Sequence, residues 1–291
     1  MCNLCPRNCK TDRKKEKGFC GVLDKMVVAR CGKHFWEEPP ISGENGSGTI
    51  FFSGCNLKCV FCQNYKISAE CFGKEITEDE LCEIILRLQD SGVHNINFVT
   101  GTHFADKIAS ALDKIKDKLY IPTVYNCGGY EKEETLLMLK DYIDIYIPDF
   151  KYFRGELSLK YSGAKDYFEI AKKAVDICIK NAGKPQFFEN GIMKKGVVIR
   201  HLVLPGFYKD SIEILKYLDK TYEKDEFLLS LMSQFVPVPK CAEYKEINRK
   251  ITTFEYEKAA SFAREKGFLG FFQERSSAKS EYTPDFDLTG I

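Results

Sequence analysis

Long apolar runs are missing from this sequence of 291 residues. No stretch approaches the ~20 consecutive apolar residues of a membrane-spanning helix, so no membrane partner is expected. The opening MCNLCPRNCK has no apolar core of the kind a secretory signal carries. Net charge is nearly absent as well: 43 basic and 42 acidic residues leave +1. No basic patch interleaved with aromatics is present, which argues against a nucleic-acid partner. Histidine is scarce, at four residues, and none has a second ligand at helical spacing for a zinc site. No low-complexity tract or obvious linker divides the chain.

Cysteine, by contrast, is abundant, with 13 in the chain. Without an export signal the expected compartment is the reducing cytoplasm, where cysteine clusters read as metal or redox sites rather than disulfides. A cytoplasmic, oxygen-sensitive protein suited to anaerobic conditions is the expectation. A chain of this length can bury about three-quarters of its unfolded surface in one core, and α/β barrels commonly reach this size as a single unit.

After residue 48 the chain alternates apolar and amphipathic runs. TIFFS (49–53), NINFV (95–99), LYIPTVYN (119–126), IDIYIP (143–148), VVIRHLVL (197–204) and FLLSLMS (227–233) predict buried strands bounded by turn residues. Helices are predicted over 77–91, 104–117, 132–141, 165–180, 209–220 and 252–267. Thr77 with Glu80, and Thr252 with Glu255, have capping-box spacing, and Gly92 and Gly267 follow as stops. Six strand–helix alternations predict parallel strands with right-handed crossovers, as a barrel or a doubly wound sheet. Either way, ligands belong at the carboxyl ends of the strands.

The unusual residues fall at those ends. The first strand runs into GCNLKCVFCQN, where Cys55, Cys59 and Cys62 put three thiols on one tight loop. An iron–sulfur cube normally takes four cysteine ligands, so a cube held by three leaves one iron open to a ligand that is not protein. A structural zinc loop would want a closed set of four, and no fourth ligand is local. The next strands end in Thr100-Gly101-Thr102-His103, in Asn126-Cys127-Gly128-Gly129, and in Asp149 and Lys151. The fifth carries Arg200, a guanidinium in an apolar strand that needs an anion, either a ligand's carboxylate or a core acid such as Asp149. His201 points to the opposite face. Cys127 reads as a small buried thiol with no base nearby, and Cys71, Cys82, Cys178 and Cys241 as isolated structural cysteines.

A second constellation lies at the start. Cys2, Cys5, Cys9 and Cys20 supply four thiols in twenty residues, enough for zinc or a second iron–sulfur cluster, with Cys31 able to replace one. Residues 34–43, HFWEEPPISG, read as an extended connector because of the double proline, with Glu37 and Glu38 either solvated or near the active site. Domain boundaries follow: a cysteine-rich extension over 1–48 packed on a barrel domain over 49–291, which ends in a helix and tail.

The Cys-x3-Cys-x2-Cys spacing, with Phe61 before the third cysteine, resembles the signature of the radical S-adenosylmethionine (radical SAM) superfamily. Within it, EEPPISGENGSGTIFFSGCNLKCVFCQNYKIS, NINFVTGTH, VYNCGGYE, IYIPDFKY, IRHLVLPG and SLMSQF are similar to glycyl-radical-enzyme activating proteins, such as the pyruvate formate-lyase activating enzyme, and to their sister family. The resemblance implies an open partial (β/α)6 TIM-type barrel, a 4Fe–4S cluster on Cys55, Cys59 and Cys62, and S-adenosylmethionine on the open iron. It implies cleavage to a 5′-deoxyadenosyl radical that abstracts hydrogen, with flavodoxin or ferredoxin as electron donor and a glycyl-radical enzyme as partner. By position it implies cofactor contacts at Phe61, Thr100, Gly101, Asn126, Asp149 and Arg200, with Arg200 meeting the carboxylate of S-adenosylmethionine. Two departures stand out: Thr100-Gly101-Thr102 replaces an acidic turn, and Asn126 replaces an aspartate of a monovalent-cation site. The same radical chemistry on a small molecule or another protein is the alternative, and a non-catalytic metal scaffold is the rival of another class.

Overall fold

The computed structural model describes residues 1–273 and 283–291; part of the expected C-terminal tail lies outside the described residues. The strands are β1 (Met26–His34), β2 (Ser47–Phe52), β3 (Lys74–Ile76), β4 (Ile96–Val99), β5 (Thr123–Cys127), β6 (Ile145–Pro148), β7 (Gln186–Phe187), β8 (Met193–Leu202), β9 (Leu228–Met232) and β10 (Gly270–Phe272). The helices are α1 (Pro39–Ser42), α2 (Tyr65–Ser68), α3 (Glu78–Asp90), α4 (Ala105–Ile115), α5 (Glu133–Leu139), α6 (Gly155–Ser162), α7 (Tyr167–Ala182), α8 (Tyr208–Thr221) and α9 (Thr253–Glu265).

The sheet runs β10-β9-β8-β6-β5-β4-β2-β1-β3, with β7 beside β8. Along the path from β2 to β10 the pairings are parallel, while β1, β3 and β7 are antiparallel additions. The order has two ends, so the barrel is open. Each expected strand and helix appears, and β10 adds a further parallel strand. The sheet also crosses residue 48: β1 pairs with β2 along most of its length, so residues 26–34 extend the barrel sheet.

Local chemistry sets the elements. Thr77 accepts from the Glu80 amide at 3.1 Å while Glu80 accepts from the Thr77 amide at 2.7 Å, closing the capping box of α3. Thr252 and Glu255 repeat the pattern at the start of α9. The double proline does not stay extended. Pro39 opens α1 with its fixed φ and missing N–H at a position where a helix has no use for that donor.

Side-chain alternation divides the core. Tyr125, Tyr146, Val197, Ile199 and Leu229 join the large cluster that packs the helices on the sheet. Val124, Ile145, Ile147, Met193 and Val198 form a separate cluster inside the barrel, sealed by Ile41 of α1.

Candidate active site

The loop after β2 begins at Gly54, whose φ is +89°. A Cβ there would stand 2.8 Å from the Cys20 carbonyl oxygen, so only glycine allows this close approach. Cys55, Cys59 and Cys62 then line one cavity of about 330 Å3 at the carboxyl ends of the strands. Each sulfur faces a donor. The Leu57 amide points at Cys55 Sγ at 3.3 Å, Ser162 Oγ at Cys59 Sγ at 2.9 Å, and Ser68 Oγ at Cys62 Sγ at 3.3 Å. Ser162 is itself fixed by Tyr152, 2.7 Å away. Phe61 lines the same cavity, backed by Tyr152, Tyr161 and Phe235 with ring centroids 5.8–6.5 Å distant.

As free thiols these groups resist ionisation: burial pushes Cys55 up to about 12, and burial raises Cys62 as well. A metal reverses that preference, because it binds the thiolate and displaces the proton. The donor set suits an iron–sulfur cluster, whose sulfurs carry negative charge and are tuned by hydrogen bonds of this kind. Among the described residues, no three His, Cys, Asp or Glu side chains are already drawn to the spacing of a bound ion.

Thr100, Asn126, Asp149 and Arg200 line the cavity with the cysteines, and Gly101 does not. The absent side chain of Gly101 instead makes room for Ile108 of α4, 2.6 Å from where its Cβ would be. Thr100 holds a φ of +60° and donates its amide to the Asn126 carbonyl at 2.9 Å. Thr102 does not cap a helix: its hydroxyl donates to buried Glu131 at 2.8 Å, and Tyr125 donates to the other carboxylate oxygen at 3.2 Å. Burial pushes Glu131 up to about 8. Nothing in the local sequence marked Glu131, since its burial comes from packing between β5 and the turn after β4.

Asp149 pairs with Lys151. Burial alone would discharge Lys151, but Asp149 and the sulfurs of Cys59 and Cys62 hold it above the ordinary lysine range. The pair is pinned by Tyr167, whose hydroxyl donates to the Asp149 carbonyl at 2.8 Å and accepts the Lys151 amide at 3.1 Å.

Arg200 forms a core ion pair, one of the two readings of this residue, with acids other than Asp149. Its Nε donates to Glu38 Oε1 at 2.7 Å, one terminal nitrogen donates to Glu38 Oε2 at 2.5 Å, and the same nitrogen meets Glu37. Asn97 of β4 donates to Glu37 Oε1 at 3.0 Å. Of the two readings of Glu37 and Glu38, the solvated one is corrected: both carboxylates are buried inside the barrel, with side-chain exposures of 7% and 6%, and both line the cavity. A buried carboxylate must be paired, and Arg200 is the partner.

The remaining expectations sort cleanly. His201 faces away from the cavity and bonds the Phe150 carbonyl at 2.6 Å. His103 bonds the Ser53 carbonyl at 2.8 Å, with burial holding it near 3 and hence neutral. His94 accepts the Asn45 amide at 3.2 Å. Cys127 is buried, and burial raises its thiol well above the usual range. Cys31 cannot join the amino-terminal cysteines, because it sits on β1 against Thr289 and Gly290. Cys71 is not isolated: its sulfur lies against Gly21 in the amino-terminal segment.

The radical SAM superfamily model matches residues 49–218. An uncharacterised protein of Methanocaldococcus jannaschii is 34% identical over 274 residues, covering 90% of this chain and 74% of its own length. A pyruvate formate-lyase-activating enzyme of Staphylococcus aureus (strain NCTC 8325) is 23% identical over 182 residues, covering 57% of this chain and 65% of the enzyme. Among solved structures, Streptococcus suis SuiB bound to S-adenosylmethionine aligns with a TM-score of 0.50 at 15% identity. That alignment covers 78% of this chain but half of SuiB, 50% of its length, and speaks for the fold alone.

Proposed function

The chain belongs to the radical SAM superfamily, and from that premise we propose that it cleaves S-adenosylmethionine reductively and abstracts hydrogen from a backbone glycine of a partner enzyme. The observation that carries the reading is the set of three cavity-lining sulfurs at the strand ends, each met by an amide or hydroxyl donor. A 4Fe–4S cluster on Cys55, Cys59 and Cys62 would supply the electron that splits the sulfonium into methionine and a 5′-deoxyadenosyl radical.

The chain's own residues hold and shield the reactants. Lys151 offers an ammonium beside the sulfurs and is suited to the cofactor carboxylate, a role that Arg200 is less free to take while Glu37 and Glu38 occupy its fork. Asp149 keeps Lys151 charged and positioned. Asn126 and the Thr100 backbone line the wall where the amino group would rest. Phe61 and its aromatic neighbours keep water from the radical.

The glycine substrate is supported by the distant likeness to the activating enzyme. Flavodoxin or ferredoxin fits as electron donor. The test is anaerobic reconstitution with dithionite, S-adenosylmethionine and candidate partners recovered from anaerobic lysate. A glycyl doublet in the partner's electron paramagnetic resonance spectrum, together with deoxyadenosine, supports the reading. Deoxyadenosine without a doublet moves the chemistry to a small molecule or another protein. Zinc without iron, and no cleavage, leaves only a metal scaffold.

A further inference from the structure

We propose that Cys2, Cys5, Cys9 and Cys20 form a second, closed metal centre with protein sulfur in every position, and that this centre fixes the loop carrying Cys55, Cys59 and Cys62. The first half stands on the amino-terminal segment alone; the second rests on the radical SAM reading.

The sulfurs share one small region. Arg7, between Cys5 and Cys9, stacks on the ring of Phe19, next to Cys20, at 4.0 Å, and Cys2 donates its amide to the Thr11 carbonyl at 2.9 Å. Arg13 runs between the sulfurs: one terminal nitrogen is 3.9 Å from Cys2 Sγ, and its Cδ and Cys20 Sγ both lie 3.5 Å from the Cβ position of residue 18. Four thiolates complete a tetrahedral zinc site or a fully ligated iron–sulfur cube, so no position is left for substrate. The sulfurs must still close on the metal, releasing their protons as they do.

Three contacts tie this segment to the cluster loop. The Cys55 amide donates to the Cys20 carbonyl at 3.2 Å. Arg7, between Cys5 and Cys9, donates to the Asn56 carbonyl at 2.7 Å and to the Ser162 carbonyl at 2.8 Å. Ser162 in turn donates its hydroxyl to Cys59 Sγ. A metal that rigidifies residues 2–20 therefore rigidifies the residues around two of the three cluster sulfurs.

The test starts from the Cys55→Ala/Cys59→Ala/Cys62→Ala triple variant, purified anaerobically with iron, sulfide and zinc supplied, then desalted and analysed by mass spectrometry for metals. About one zinc or about four irons per chain is expected to remain, and which of the two identifies the centre. Adding Cys9→Ser, at an exposed position where packing is undisturbed, should remove that metal while circular dichroism stays native. A natively folded triple variant without metal, or metal retained after both Cys5→Ser and Cys9→Ser, overturns the centre. In the full chain, Arg7→Ala should keep the amino-terminal metal but let a chelator strip the loop cluster several-fold faster. An unchanged stripping rate overturns the strut. A wild-type chain that holds amino-terminal metal but no loop cluster would sink the radical SAM reading instead, so the two failures are distinct.

Discussion

Arg200 grips Glu38 through two nitrogens, at 2.7 and 2.5 Å, across 162 positions of sequence. The contact ties the connector between β1 and α1 to the far wall of the barrel, with Glu37 and Asn97 completing the layer. Removing one member of a buried ion pair strands a charge, at a cost of about 3–5 kcal/mol. Arg200→Met should therefore lower unfolding stability by about that amount in urea titrations. Adding Glu37→Gln and Glu38→Gln should recover much of the loss, because neutral amides are cheaper to bury. Equal stability of Arg200→Met and wild type would refute the pairing.

Ser162 and Cys59 give a spectroscopic prediction. A hydroxyl donating to a cluster sulfur stabilises the added electron, so it raises the reduction potential. Ser162→Ala should shift the cluster's potential to more negative values in an electron paramagnetic resonance titration and slow deoxyadenosine formation with a weak donor. Cys59→Ala should abolish both cluster and turnover. A Ser162→Ala cluster with the wild-type potential would refute the link.

Much of the frame was legible because its signals are local. The six apolar runs and the two capping boxes each declare themselves within a few residues, and all became elements at nearly the expected bounds. β1 was not, because MVVARCGKH mixes cysteine, glycine and charge, and its strand character comes from pairing with β2. Gly155–Ser162 was missed as a helix for its glycine start and brevity. The cysteine loop and the strand-end residues were readable from spacing and from the rule for parallel sheets. Glu37 and Glu38 were readable only as one of two alternatives, since two carboxylates before a double proline also resemble solvent-facing residues. Their burial depends on a guanidinium 162 positions further along the sequence than Glu38.

Glu131 sets a pH dependence of stability. Its folded carboxyl titrates near 8, above the ordinary 4.5, so the folded state binds the extra proton between those values. The resulting stability is complete below about 4.5 and is lost as pH rises through 8. On the order of 4 kcal/mol is at stake from pH 5 to 8. Glu131→Gln removes this slope, because its amide has no proton to lose. The difference in unfolding free energy between wild type and variant should therefore fall steadily over that range. A difference that does not change with pH would exclude a neutral Glu131.

Glu255 does more than cap α9. Its carboxylate also accepts the Gly206 amide at 2.6 Å and pairs with Arg249 at 2.6 Å, tying the loop after β8 to the last helix. Thr252→Ala should cost about 1 kcal/mol, as lost caps do. Glu255→Ala should cost about 2–3 kcal/mol, since the Gly206 amide loses a charged acceptor. Thermal melts of the two variants, compared directly, check the ranking.

Lys151 lies on the cavity wall, and Asp149 and the sulfurs of Cys59 and Cys62 hold it charged. If it meets the carboxylate of S-adenosylmethionine, the contact is present before any bond breaks and is worth about 1.5–3 kcal/mol. Lys151→Met should then weaken binding by roughly 10- to 100-fold, raising KM far more than it lowers kcat once the cofactor saturates. Lys151→Arg should recover part of the affinity, because the charge survives even where the fork fits less well. Asp149→Asn should act in the same direction but more weakly, by loosening Lys151 rather than removing it. Equilibrium binding of S-adenosylmethionine to the reconstituted protein distinguishes these outcomes without turnover. Wild-type affinity in Lys151→Met would move the carboxylate contact to Arg200, and would require the Glu37–Glu38 clamp to open when the cofactor enters.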